Sequence, residues 1–116
     1  MDSAIAVHRE LGPGLLESIY EQALAYELED RGLRFERQKP VNIAYKGREL
    51  DGHFRLDFVV EGCVVVELKS VLKLDPVYQA QLLSYLKLSR IRLGLLLNFN
   101  VKLMRDGVRR LVLGPE

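Results

Sequence analysis

Apolar residues recur along this chain at two spacings, one helical and one extended, and the switches between them divide it into elements. Ile5, Ala6, Val7 and Leu11 predict a short helix over residues 3–11 with Ser3 as its N-cap. Gly12-Pro13-Gly14 interrupts the pattern and restarts it. Leu16, Tyr20, Leu24 and Leu28 then recur every fourth residue with Ile19 and Ala23 beside them, which predicts a second helix over about residues 14–31, stopped by Gly32. Residues 33–54 read as extended, with a turn at Lys46-Gly47, and Pro40 confines the first strand to an edge or a bulge. Asp75-Pro76 is a helix start, an N-cap followed by proline at the first position, and the helix should run over 76–89 with Tyr78, Leu82, Tyr85 and Leu86 on one side. Residues 91–99, IRLGLLLNF, predict a buried strand. A hairpin of 101–104 with 108–113 around Asp106-Gly107 would close the sheet.

The centre is the segment 54–70, FRLDFVVEGCVVVELKS. Val64, Val65 and Val66 read as a buried strand that ends on Glu67-Leu68-Lys69. A two-residue turn at Glu61-Gly62 would pair Asp57 with Val66. A three-residue connection through Cys63, with Gly62 in the left-handed region, pairs Asp57 with Glu67 and Phe58 with Val66. The second register is preferred, because it stacks Leu56, Phe58 and Val60 beside Val64, Val66 and Leu68 on one apolar face. Asp57, Glu67 and Lys69 then share the other face. A strand, a helix and a buried strand in succession predict a crossover with 91–99 parallel to 64–70. The fold expected is an α/β sandwich in one domain, residues 1–116, with helices on a mixed central sheet in the order α-α-β-β-β-α-β-β. In it the two long helices bring Glu17 and Gln81 to Asp57, Glu67 and Lys69.

Two adjacent carboxylates repel unless a proton or a cation lies between them. Mg²⁺ suits such a pair, because it takes a few carboxylate or carbonyl oxygens and keeps other positions for water and phosphate. Metal-assisted phosphodiester hydrolysis with Lys69 assisting is the chemistry implied. An isolated Glu-x-Lys is otherwise an ordinary salt bridge at a sheet edge. Here it is the only one in the chain, it ends a valine run, and an acid lies ten residues before Glu67. Glu17 alone reads as a carboxylate favoured by a helix N-terminus. His8 and His53 are isolated from any second ligand at metal spacing, and His8 is expected to be partly exposed on its helix.

Composition narrows the classes. A formal net charge of +1 over 116 residues argues against a protein that coats nucleic acid by charge alone. The single cysteine, Cys63, excludes an internal disulfide, suits a reducing compartment, and is expected to be a buried thiol. No stretch is apolar enough for a membrane helix and residues 1–12 carry no signal-peptide pattern, so a soluble, cytoplasmic protein is expected.

Asp57 followed after nine residues by Glu67-Leu68-Lys69 resembles the PD-(D/E)xK nuclease superfamily. Gly14-Leu-Leu-Glu17-Ser-Ile-Tyr20 resembles the GxxExxY family within it, as do Phe35-Glu-Arg-Gln38, Tyr45-Lys-Gly47, Arg55-Leu-Asp57 and Ala80-Gln-Leu-Leu-Ser-Tyr85. The resemblance implies a restriction-endonuclease-like fold. It also implies that Asp57, Glu67 and the backbone carbonyl of Leu68 bind Mg²⁺ or Mn²⁺, that Glu17 is an additional metal-binding acid, and that Lys69 is the catalytic lysine. Gln81 and Tyr85 resemble a Q-x-x-x-Y element placed beside the active site in RecB-like and phage exonuclease branches. The proline and first acid of the superfamily's name are only loosely represented, by Leu56-Asp57.

Two functions follow. One is a metal-dependent nuclease acting on nucleic acid, DNA in the first place, with Lys46, Arg48, Arg55, Lys73, Arg90 and Arg92 as candidates to hold the phosphate backbone. The other is a non-catalytic binding module of the same fold, for instance a homodimer paired through the strand edge at Arg110–Leu113. A small-molecule enzyme ranks below both, since the chain has no glycine-rich phosphate loop and no nucleophile–histidine pair.

Overall fold

A computed structural model describes residues 1–114. It runs α1 (Asp2–Leu11), α2 (Glu17–Asp30), β1 (Phe35–Tyr45), β2 (Arg48–Val60), β3 (Val64–Lys69), α3 (Pro76–Ser89), β4 (Leu93–Asn98), a 3₁₀ turn (Met104–Gly107) and β5 (Val108–Val112). The strands form one sheet in the order β1-β2-β3-β4-β5. β3 and β4 are parallel, joined through α3, and every other pair is antiparallel. The architecture is therefore α/β with a mixed five-stranded sheet, as expected, and β1 with its Pro40 lies at an edge.

Alternation along the strands divides the core into two layers. Phe58, Val66, Leu68, Leu97 and Phe99 pack with Tyr20, Leu24 and Leu28 of α2 and with Ala4 and Val7 of α1. Val59, Val65 and Leu96 pack on the opposite side with Leu82 and Leu86 of α3. Asp75 starts α3 as predicted, its Oδ1 accepting the Val77 amide at 2.9 Å ahead of Pro76. No helix is long and apolar enough to cross a membrane among the described residues.

Several expectations are corrected. Ser3 lies inside α1, buried, and Met1 occupies the cap position. His8 is buried, with its Nε2 2.7 Å from the Val101 carbonyl, because the loop after β4 closes over α1. α2 begins at Glu17 and not at 14: Gly14 has φ +93°, and the Tyr20 hydroxyl holds the loop by donating to the Gly12 carbonyl at 2.5 Å and accepting the Leu15 amide at 3.1 Å. Leu16, left outside the helix, is 73% exposed, and Ile19 is also exposed. Residues 101–104 form no strand; β5 pairs with β4 instead. Cys63 is exposed in the turn that the preferred register placed it in.

Leu56 is the informative exception. In a regular strand it would share a face with Phe58, yet Phe58 belongs to the α1/α2 layer and Leu56 to the α3 layer. The strand changes face at the residue between them, Asp57.

Candidate active site at the fork of two strands

From the turn outward, β2 and β3 pair as Val60 with Val64, Val59 with Val65 and Phe58 with Val66, and there the ladder stops. That register is the one the three-residue turn dictates, with Gly62 at φ +68°. Beyond Phe58 the strands part, and two carboxylates fill the fork. The Asp57 amide donates to Glu67 Oε2 at 2.7 Å, and the Leu68 amide donates to Asp57 Oδ2 at 2.8 Å. Each acid thus satisfies a backbone N–H of the opposite strand that the ladder has abandoned. Lys69 gives its carbonyl to the Phe99 amide on the β4 side at 2.9 Å, so Leu68, one residue back, directs its amide and its carbonyl toward the fork.

Glu67 is only 8% exposed. Burial, then the neighbouring Asp57 charge, push its carboxyl up to about 8, against the opposing help of the Asp57 amide and Lys69. Asp57 is raised in the same sense, by burial first, with the Leu68 amide holding it down and Glu21 pushing it further up. Among the described residues the second oxygen of Glu67 has no protein partner, and no buried polar side-chain atom lacks one, so that oxygen reaches solvent.

Helices bring the remaining groups. Glu17 opens α2, exposed at the rim but partly desolvated, which raises its carboxyl; Lys69 opposes the shift, and Asp57 and Glu21 add to it. Its position is fixed on both sides, by Tyr20 below and by Ser70, whose Oγ donates to the Leu15 carbonyl at 2.6 Å. From α3, Tyr85 stacks on Phe54 of β2 at 4.3 Å, and its phenol is raised by burial and then by Glu67 and Asp57. Lys69 makes no ion pair within 4.0 Å among the described residues; its Nζ lies 4.5 Å from the centroid of the Tyr78 ring. Glu17, Asp57, Glu67, Lys69 and Tyr85 are thus gathered at one place. Gln81 lies on α3 between Tyr78 and Tyr85, exposed, and makes no side-chain hydrogen bond among the described residues.

Three neighbours escaped the sequence reading as site residues. Gln38 Nε2 donates to Glu21 Oε1 at 2.6 Å and, over a longer 3.3 Å, to Asp57 Oδ1. Tyr78 carries Lys69. The i, i+4 spacing of Glu17 and Glu21 was a readable signal for Glu21. Gln38 is legible only once the β1/β2 register is known.

Among the described residues no three Asp, Glu, His or Cys side chains form a ready-made metal cluster. Mg²⁺ does not require one: it is commonly held by one or two carboxylates and completes its octahedron with water and phosphate. A solvent-reaching Glu67 oxygen, an adjacent Asp57 and a carbonyl directed into the same fork fit such an ion, and a bound cation would offset the burial that chiefly holds both acids up.

No curated protein and no solved structure matches this chain. A family profile described as the PD-(D/E)XK nuclease superfamily matches residues 1–111, which takes in the sheet up to the next-to-last residue of β5. With a match of that extent, the chain belongs to the PD-(D/E)XK nuclease superfamily.

Proposed function

We propose that the chain is a Mg²⁺- or Mn²⁺-dependent nuclease of the GxxExxY branch that hydrolyses phosphodiester bonds in DNA. The observation that carries the proposal is the fork, where a buried and a half-buried acid, both of raised proton affinity, meet beside a lysine that among the described residues has no carboxylate within ion-pair distance. Asp57, Glu67 and the Leu68 carbonyl would hold the divalent ion, with Glu17 as a further acid at the rim. When bound, the ion supplies positive charge that polarises the scissile phosphate and acidifies a water. Lys69, held over Tyr78, orients that water for in-line attack and offsets the charge that accumulates on phosphorus oxygens. The Tyr85 phenol keeps its proton beside the acids and can donate a hydrogen bond there.

Lys73 and Arg55 stand near the fork in sequence, and Lys46 and Arg48 lie on the exposed β1–β2 arm, so these four suit the phosphate backbone. Arg90 and Arg92 do not. Leu93 pairs with Val64 while Asn98 pairs with Lys69, which puts both arginines at the end of the sheet remote from the acids.

The test is calorimetry with Mg²⁺ and Mn²⁺ on the wild type and Glu67→Ala, followed by assays on linear and circular DNA. Metal binding and cleavage by the wild type, lost in Glu67→Ala and with cleavage lost also in Asp57→Ala and Lys69→Ala, is expected. Undiminished cleavage by all three variants would reject the assignment. No cleavage by the wild type, together with a stable dimer, would favour the second reading, an interaction module pairing through β5, an edge strand on which Val112 is exposed.

A further inference from the structure

Gln38 sits in the middle of β1 with φ +52°, a left-handed conformation that residues with a Cβ adopt rarely inside a strand. The ladder is intact on both sides of it, with Arg37 opposite Phe58 and Lys39 opposite Leu56, but no rung forms between Gln38 and Asp57. This is the point at which β2 changes face. The side chain explains what the distortion achieves. Its amide nitrogen has two hydrogens; one goes to Glu21 Oε1 at 2.6 Å and the other points to Asp57 Oδ1 at 3.3 Å. Glu21 is itself anchored, its Oε2 accepting from Arg37 Nε at 2.7 Å.

We infer that Gln38 is a positioning residue for Asp57, holding one carboxylate oxygen so that the other stays on the Leu68 amide and the group stays turned into the fork. The chain Arg37–Glu21–Gln38–Asp57 transmits the position of α2 to the acid. A lysine or arginine at position 38 would also reach Asp57, but it would cancel the charge that a divalent ion needs. A neutral amide orients the carboxylate and leaves its charge in place. The consequence for metal binding rests on the nuclease reading; the orientation of Asp57 does not.

Two substitutions separate orientation from simple cross-strand support. Gln38→Gly removes the amide and suits the backbone, since glycine adopts positive φ freely. Gln38→Met keeps the length and the backbone constraint and loses the donor. In metal-free protein, amide hydrogen exchange at Leu68 is expected to accelerate about tenfold or more in both variants, with the buried amides of β4 unchanged. Loss of a strap that only ties β1 to α2 would instead accelerate all of these amides together or leave Leu68 alone. Either pattern in Gln38→Gly overturns the inference, and that variant decides it should Gln38→Met fail to fold. Mn²⁺ calorimetry then reads the consequence: affinity should fall roughly ten- to a hundredfold in Gln38→Gly, as for other residues that orient a metal-binding carboxylate. Unchanged affinity overturns that consequence. A wild type that binds no Mn²⁺ overturns the nuclease reading instead, and the Leu68 amide still decides whether Gln38 positions Asp57.

Discussion

The hairpin of β2 and β3 has two ends that differ in almost everything except their sequence neighbourhood. At the turn end, Val60, Val59 and Phe58 meet Val64, Val65 and Val66 through backbone pairing, with apolar layers on both faces. At the open end, one residue further on, the backbone pairing is replaced by carboxylates that cap opposite amides, and charge is buried where the other end buries methyl groups. The first end stabilises the fold; the second carries an electrostatic cost that the first offsets. A site that concentrates raised carboxylates has to be built beside something rigid, and here the support is three rungs of the same hairpin.

The largest expected effect tests the cost of the open end. In the unfolded chain Glu67 gives up its proton near the usual 4.5, whereas in the folded protein it keeps it to about 8. Between those values the folded state holds the extra proton, so raising the pH favours unfolding, and above about 8 the dependence levels off. Asp57 and Glu17 are shifted in the same direction and add to it. Metal-free protein should therefore be less stable at pH 8 than at pH 5, with Glu67 contributing on the order of 4 kcal/mol. Glu67→Gln should remove most of that slope and exceed the wild type in stability at pH 8. Urea unfolding in the presence of a chelator checks both. A wild type equally stable at the two pH values would mean that the fork is not an electrostatic liability.

At the turn end the expected effect is smaller and of opposite sign. Val65 is fully buried against Leu82, Leu86 and Leu96. Val65→Ala removes two methyl groups and leaves a small cavity, which should destabilise by about 2 kcal/mol at every pH. The contrast is in the shape of the curve: Val65→Ala should shift stability in parallel with the wild type, and Glu67→Gln should change its slope. A Val65→Ala profile whose slope differs from the wild type would show that the two ends are not independent.

The contrast also separates what was legible in the sequence from what was not. Gly62 and the valine run specify the register at the turn end, and Asp75-Pro76 specifies α3, because both are local signals whose physics is complete within a few residues. The grouping of Asp57, Glu67 and Lys69 follows from that register. The change of face at Asp57 was not legible, because the groups found beside it there, Gln38 and through it Glu21, come together with Asp57 only in three dimensions. The start of α2 was misplaced for a similar reason, the Tyr20 hydroxyl binding the loop behind its own helix. The strand expected at 101–104 is absent because β5 takes β4 as its partner, and the segment before it turns tightly through Met104–Gly107, with Gly107 so close to the Asn98 carbonyl that a Cβ would meet it at 2.1 Å.

The smallest effect concerns Lys69, which belongs to the open end but is held in an unusual way for a lysine beside acids. Its ammonium lies 4.5 Å from the Tyr78 centroid, and no carboxylate comes within ion-pair distance among the described residues. A ring face restrains a cation without neutralising it, at a gain of about 0.5–1 kcal/mol at a partly exposed site. Tyr78 is half-buried and forms part of the α3 layer, so its ring is fixed independently of the lysine. Tyr78→Phe keeps the ring and should leave cleavage near the wild-type rate. Tyr78→Leu keeps apolar bulk and loses the π face, so kcat should fall roughly two- to fivefold with KM little changed, the size of one lost cation–π contact. A double-mutant cycle read by urea unfolding, which needs no activity, should couple Tyr78→Leu and Lys69→Ala by about 0.5–1 kcal/mol. If Tyr78→Leu cost as much stability in a Lys69→Ala background as in the wild type, the ring would be serving the packing of α3, and the placement of Lys69 would have to come from the fork itself.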